Sequence, residues 1–181
     1  MMKHWKFTGK EKECCGFKLK QIERISDGLI GGWIEKEKNL AQDGSWVYGN
    51  AWVSGNAQVS GNARVYGDAQ VYGNARVYGD AQVSGNAQVS GSAWVSGNAR
   101  VYENARVESN KDYVNIIVHP YSITLTKTYI QIGCQSQTFD EWMKVTRKEA
   151  IAMGFDKNYF SIYKTIIKEF SWKYFKNKEA K

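Results

Sequence analysis

Between residues 46 and 110 the only cations are Arg64, Arg76, Arg100 and Arg106, and each stands directly before a valine. The same position elsewhere holds Trp46, Trp52, Gln58, Gln70, Gln82, Gln88 and Trp94, and the position after valine holds Tyr or Ser in every unit but the last, where Glu108 stands. Guanidinium groups pair in a fork with phosphate or carboxylate oxygens, aromatic rings stack on planar groups and cations, and an amide reads a polar edge. The pattern therefore offers binding chemistry toward a small, planar, anionic ligand. Acid–base chemistry at neutral pH calls for a histidine in the site, yet the only histidines are His4 near the start and His119 beside Pro120, a turn residue. Cys14 and Cys15 have no neighbouring base, and Cys134 reads as a small core residue at the end of an apolar strand. No His/Cys/Asp/Glu cluster has metal-ligand spacing, and Gly31-Gly32 lacks the Lys-Ser/Thr of a phosphate loop. No metal and no cofactor is expected.

These residues recur because the chain repeats. Valine returns every sixth residue from Val47 to Val107, and each unit reads Val, Ser or Tyr, Gly, Asn or Asp, Ala, then Gln, Arg or Trp. Side chains alternate across a strand, so Ala and Val share the inner face while the residues around Val point outward. Gly followed by Asn or Asp makes the corner. One such unit cannot bury its own apolar face, so the units stack into a solenoid.

The repeat resembles the left-handed parallel β-helix of hexapeptide-repeat proteins, in which three units close a triangular turn of eighteen residues. Leu29-Ile30-Gly31-Gly32-Trp33-Ile34-Glu35 running on to Asn39-Leu40, and Ile130-Gln131-Ile132-Gly133-Cys134 followed by Thr138-Phe139-Asp140-Glu141-Trp142, are similar to segments of phage and prophage members often labelled putative acyltransferases. The resemblance implies a homotrimer packed side by side. It also implies, for an acyltransferase, a solenoid histidine and an extruded loop. The repeats contain neither, and Gln137 stands where that group carries a His.

At eighteen residues per turn the outward columns sort into faces. The first stacks Trp46, Arg64, Gln82 and Arg100 beside Tyr48, Tyr66, Ser84 and Tyr102; the second Trp52, Gln70, Gln88 and Arg106 beside Ser54, Tyr72, Ser90 and Glu108; the third Gln58, Arg76 and Trp94 beside Ser60, Tyr78 and Ser96. Tyr66 and Tyr102 fall two turns apart, about 9.5 Å at strand spacing, with small Ser84 between them. A planar base sandwiched by those rings would find Arg64 and Arg100 for phosphate and Gln82 for a base or ribose edge. Arg76 and Trp94 join them as candidate ligand residues. Burial of Tyr66 and Tyr102 in a trimer interface is the competing reading, since Trp, Tyr and Arg are enriched there.

Three segments result: an N-terminal strand and cap (1–45), the repeat solenoid (46–108) and a C-terminal α+β cap (109–181). Residues 1–15 read as loosely docked, Phe17 onward as a half-buried strand, and Trp33 and Ile34 as plugs over the first turn. After the repeats, Tyr113–Val118 and 123–132 read as strands. A helix capped by Thr138 and Glu141 runs to about Met153, and a second follows Asp156 with the stripe Tyr159, Ile162, Tyr163, Ile166, Ile167 and Phe170. The fold class is mainly β, a β-solenoid with an N-terminal cap and a strand-plus-two-helix C-terminal cap.

The net charge of +7 divides as +2, 0 and +5 over residues 1–45, 46–110 and 111–181. A neutral solenoid lacks the basic stripe that tracks long nucleic acid. No apolar stretch is long enough for a membrane helix, no secretory leader pattern is evident, and three unpaired cysteines fit a reducing compartment; a cytoplasmic protein, of the host cell if phage-encoded, is expected. These features point to a non-enzymatic, trimeric binding protein for a small anionic ligand, with a nucleotide the best-fitting class. With the phage resemblance, that becomes a sponge for a bacterial defence signal. An acyltransferase-like enzyme and a purely structural scaffold are the alternatives.

Overall fold

The computed structural model describes residues 3–110, 112–118 and 120–174, with backbone alone at 117, 118 and 171–174. Strands β1 (Trp5–Cys14), β2 (Phe17–Arg24) and β3 (Ile30–Ile34) and a 3-10 turn (Glu37–Asn39) precede the repeats. Each repeat contributes one two-residue strand, β4 to β14, from Trp46–Val47 to Arg106–Val107. Then come β15 (Tyr113–Val118), β16 (Tyr121–Thr126), β17 (Ile130–Ile132), β18 (Gln135–Gln137) and helices α1 (Phe139–Lys144), α2 (Arg147–Ala152) and α3 (Phe160–Tyr174).

The repeats form a β-solenoid with three parallel faces. Trp46, Arg64, Gln82 and Arg100 stack in register on the first, Trp52, Gln70, Gln88 and Arg106 on the second, and Gln58, Arg76 and Trp94 on the third. Every alanine from Ala51 to Ala105 and every valine from Val47 to Val107 in the inner columns is at most 1% exposed. From Trp46 to Gln88 the residue before each valine donates its N–H to the alanine carbonyl one turn on, as Arg64 does to Ala81 and Gln82 to Ala99, both at 2.9 Å.

Two columns fix the corners. The glycines from Gly49 to Gly97 sit at φ between 57° and 76°, and they stack so closely that a Cβ on Gly61 would lie 2.9 Å from the Gly79 nitrogen. The Asn/Asp column bonds along the axis: Asn50 donates to Asp68 and Asn62 to Asp80, each at 3.1 Å. Glu103 occupies the glycine position of the last turn at φ 57°. Among the described residues no further turn covers it, so only the backbone strain of a left-handed residue remains.

The ends depart from the sequence expectation. Residues 5–14 are not loosely docked: β1 pairs with β2 in an antiparallel hairpin, turned by Cys15 at φ 54° and Gly16 at φ 79°. A two-residue hairpin turn of type I′ needs two such residues, and cysteine is an unusual one. Trp33 and Ile34 cover the first turn as a paired strand, with Ile34 fully buried in the solenoid core. They pair with Trp52 and Val53, and Leu40 bridges to Val59, so the coil register starts before the regular repeats. Trp5, 2% exposed, and Ile22, fully buried, close the core at that end.

At the other end, side-chain oxygens replace the missing next turn. Trp94 donates its N–H to Asn110 Oδ1 at 2.7 Å, and Arg100 to Thr124 Oγ1 at 3.0 Å. Strands β15 to β18 form an antiparallel sheet in sequence order. Ile123, Leu125, Ile130 and Ile132 share a second core with Trp142, Phe155, Tyr163 and Ile167. The expected strand 123–132 is two strands, because the Thr126 hydroxyl accepts from the Tyr129 N–H at 3.0 Å and turns the chain. The expected helix through Met153 is also two: Thr146 and Glu149 form a second capping box, which restarts the helix after Val145. In the last helix only Tyr163 and Ile167 of the expected stripe are fully buried, while Ile162 and Phe170 are 44% and 40% exposed. No described helix is long and apolar enough to cross a membrane.

Candidate functional site

Parallel stacking at eighteen-residue intervals gathers the outward side chains of each face into columns. On the first face the tyrosines meet rather than stand apart. Tyr66 and Tyr102 lie edge to face with centroids 6.4 Å apart, over Ser84, which is 7% exposed. Gln82 Oε1 accepts from the Tyr102 hydroxyl at 2.7 Å and from Tyr66 at 3.3 Å, and the two hydroxyls lie 3.1 Å apart. Burial, with the Tyr66 hydroxyl adding to it, holds the Tyr102 phenol protonated far above its ordinary range. The expected gap for a sandwiched base is therefore closed. The small serine lets both rings lean together, and the shared acceptor satisfies their hydroxyls.

Arg100 is also committed. Its Nη1 donates to the Gly133 carbonyl at 2.8 Å, which ties the first face to the C-terminal sheet. The open part lies one turn lower, where Tyr48, Arg64, Tyr66 and Gln82 line a hollow of about 370 Å³. Trp46 meets Tyr48 edge to face at 6.3 Å, and the Arg24 guanidinium lies 5.6 Å from the Trp46 ring centroid. Arg24 also holds Asp27 and lowers its pKa to about 2. Arg64, Arg76, Arg100 and Arg106 form no ion pair with any described carboxylate. Tyr48 is the residue that sequence reasoning missed. The candidate pair Tyr66 and Tyr102 lies two turns apart around a serine, whereas Tyr48 and Tyr66 are on consecutive turns.

The other two candidates, Arg76 and Trp94, stand on the third face, so the eight do not form one site. The Arg76 guanidinium lies 5.2 Å from the Trp94 ring centroid, and Trp94 and Tyr78 remain 45% and 38% exposed. A hollow of about 220 Å³ there is lined by Gln58, Ser60, Arg76, Tyr78 and Trp94. The second face is covered at its first turns: Trp52 is 5% exposed, stacks on Tyr72 at 5.7 Å and lies against Phe17 of the hairpin.

Elsewhere the candidate reactive groups are dispersed. His4 is exposed, its backbone N–H bonded to Gln42, and His119 lies outside the described residues. Cys134 is exposed in the β17–β18 turn rather than buried, because Gly133 at φ 57° swings the chain out. Among the described residues no three His, Cys, Asp or Glu side chains converge as metal ligands.

Four consecutive stretches, 57–69, 69–82, 81–97 and 95–109, match the family model of the YdcK beta solenoid repeat. The matched span covers most of the regular turns and neither cap. No curated protein matches the chain.

Proposed function

We propose that this β-solenoid repeat protein is a non-catalytic homotrimer that holds a small planar anion, a nucleotide, on its first face. The observation that carries the reading is the hollow of about 370 Å³ between Tyr48, Arg64, Tyr66 and Gln82. It lies within the range of small-molecule sites, about 300–1,000 Å³. Two aromatic rings form its apolar walls, and Arg64 supplies a fork of donors with no described carboxylate to neutralise it. The Tyr66–Gln82–Tyr102 network holds the upper wall in place. The hollow is open on one side, which a neighbouring subunit closes in the trimer.

The resemblance to phage-borne proteins extends this to sequestration of a bacterial defence signal nucleotide, in a host cytoplasm. Calorimetry with linear and cyclic nucleotides tests the site. At least one should bind, and Arg64→Ala and Tyr48→Ala should abolish that binding while the trimer persists by light scattering. Unchanged binding in both variants refutes the placement.

A further inference from the structure

The third face differs in kind from the first. Its outward columns place small Ser60, large Tyr78 and small Ser96 in succession, next to Gln58, Arg76 and Trp94. The tyrosine projects between two serines and leaves a hollow on each side. One, of about 220 Å³, reaches Gln58 and Ser60; the other, of about 420 Å³, reaches Ser96, Asn115 and Tyr113. Tyr78 and Trp94 line both, so the two hollows adjoin across these rings. Ser60 and Ser96 are two turns apart, about 9.5 Å at strand spacing. A ligand filling both hollows must therefore be linear and cross the tyrosine.

The lining chemistry narrows the class. Trp94 stays 45% exposed although Arg76 lies over its ring. The Tyr113 hydroxyl donates to the Trp94 backbone carbonyl and anchors the chain there, while Arg76 packs on the ring. An exposed, fixed indole beside a half-exposed phenol is a platform for an apolar ring face. Around it stand amides and hydroxyls, which donate and accept at once. Among the described residues Arg76 is the only charged side chain lining either hollow. That is too little cation for a polyphosphate and too few apolar walls for a hydrophobic peptide. A pyranose chain has what the groove complements: C–H faces for the aromatic platforms and hydroxyl edges for Gln58, Ser60, Ser96 and Asn115.

We propose that the third face is an oligosaccharide-binding groove in which Trp94 and Tyr78 carry sugar rings and the flanking amides and serines bond their hydroxyls. This site is separate from the first-face hollow and does not depend on it. Saturation-transfer NMR on the full chain, with cellohexaose, chitohexaose, maltohexaose and hexagalacturonate as probes, tests it. At least one hexamer should bind, with transfer strongest at ring protons. Trp94→Ala and Tyr78→Ala should each weaken that binding at least tenfold, and Arg64→Ala should leave it unchanged. Both aromatic substitutions are at exposed positions, so the melting temperature should stay within a few degrees and certify the fold. Four inert hexamers, or binding that persists in both variants, overturn the proposal. So does protection of Trp94 from a soluble quencher in the free protein, measured against Trp94→Phe, because a covered groove takes no sugar.

Discussion

Alanine at Gly61 should cost far more stability than alanine at Gly97, although both glycines occupy the same corner of the repeat at positive φ, 76° and 60°. The left-handed backbone penalises any Cβ by about 1–2 kcal/mol, and this term is common to both. The difference comes from the next turn. At Gly61 the new Cβ would lie 2.9 Å from the Gly79 nitrogen and 3.1 Å from its carbonyl oxygen, whereas at Gly97 nothing lies within 4 Å. Backbone cannot rotate away as a side chain can, so the turns must separate, at about 1–3 kcal/mol for overpacking. Separation also stretches the bond from the Asn62 N–H to the Gly79 carbonyl, now 2.8 Å, worth about 1 kcal/mol. Gly61→Ala should thus lose about 3–6 kcal/mol and Gly97→Ala about 1–2. Urea titration followed by far-UV circular dichroism measures both. Equal losses would refute close stacking of the turns as the reason for the glycine column.

Three further outcomes follow from particular contacts. Thr124→Val removes the oxygen that accepts the Arg100 N–H at 3.0 Å and should cost about 1–2 kcal/mol; Asn110→Ala should cost less, because water reaches the exposed Trp94 N–H, and the reverse order in urea titration would contradict the capping role. The Glu141 and Glu149 carboxylates are held below 4.5 by the Thr138 and Thr146 backbone N–H groups, with the threonine hydroxyls next. Their contribution is therefore present above that pH and lost as pH falls through the lower folded values. The helical signal should melt earlier at pH 3 than at pH 6, and Glu141→Gln with Glu149→Gln should flatten that dependence; an unflattened profile contradicts it. Cys14 and Cys15 hold their sulfurs 3.5 Å apart, and the bond to Cys14 pushes the Cys15 thiol up. Alkylation of Cys15 in Cys14-intact protein should accelerate about tenfold per pH unit from pH 7 to 9, and a plateau before pH 8 contradicts the shift.

The solenoid was legible because one residue type per column reports one environment. Val, Ala, Gly and Asn each recur with a single job, and stacking at eighteen residues follows from the triangular turn. What escaped the sequence was non-repetitive. The Cys15-Gly16 turn carries no usual hairpin signature. Ile34 and Leu40 lie 19 residues before their partners Val53 and Val59, so the first turn slips the six-residue count. Thr146 with Glu149 is a capping box inside a continuous helical pattern, and its local bonds make it a boundary that the apolar spacing does not mark.

The site was half legible for a related reason. Periodicity fixed which residues share a face and separated Arg76 and Trp94 from Arg64. It carried no information on how long side chains lean. Tyr66 and Tyr102 closed over Ser84, and Arg100 was drawn to the Gly133 carbonyl of a segment outside the repeat. The open hollow moved down one turn, to Tyr48.

A native mass spectrum of protein isolated gently from cells tests the central claim most directly. The proposed function predicts an assembly of three 20.6 kDa chains that retains added mass in the nucleotide range, and Arg64→Ala should appear as the same trimer without it. A bare monomer of the unaltered chain, or a trimer whose retained mass survives Arg64→Ala and Tyr48→Ala, would contradict it.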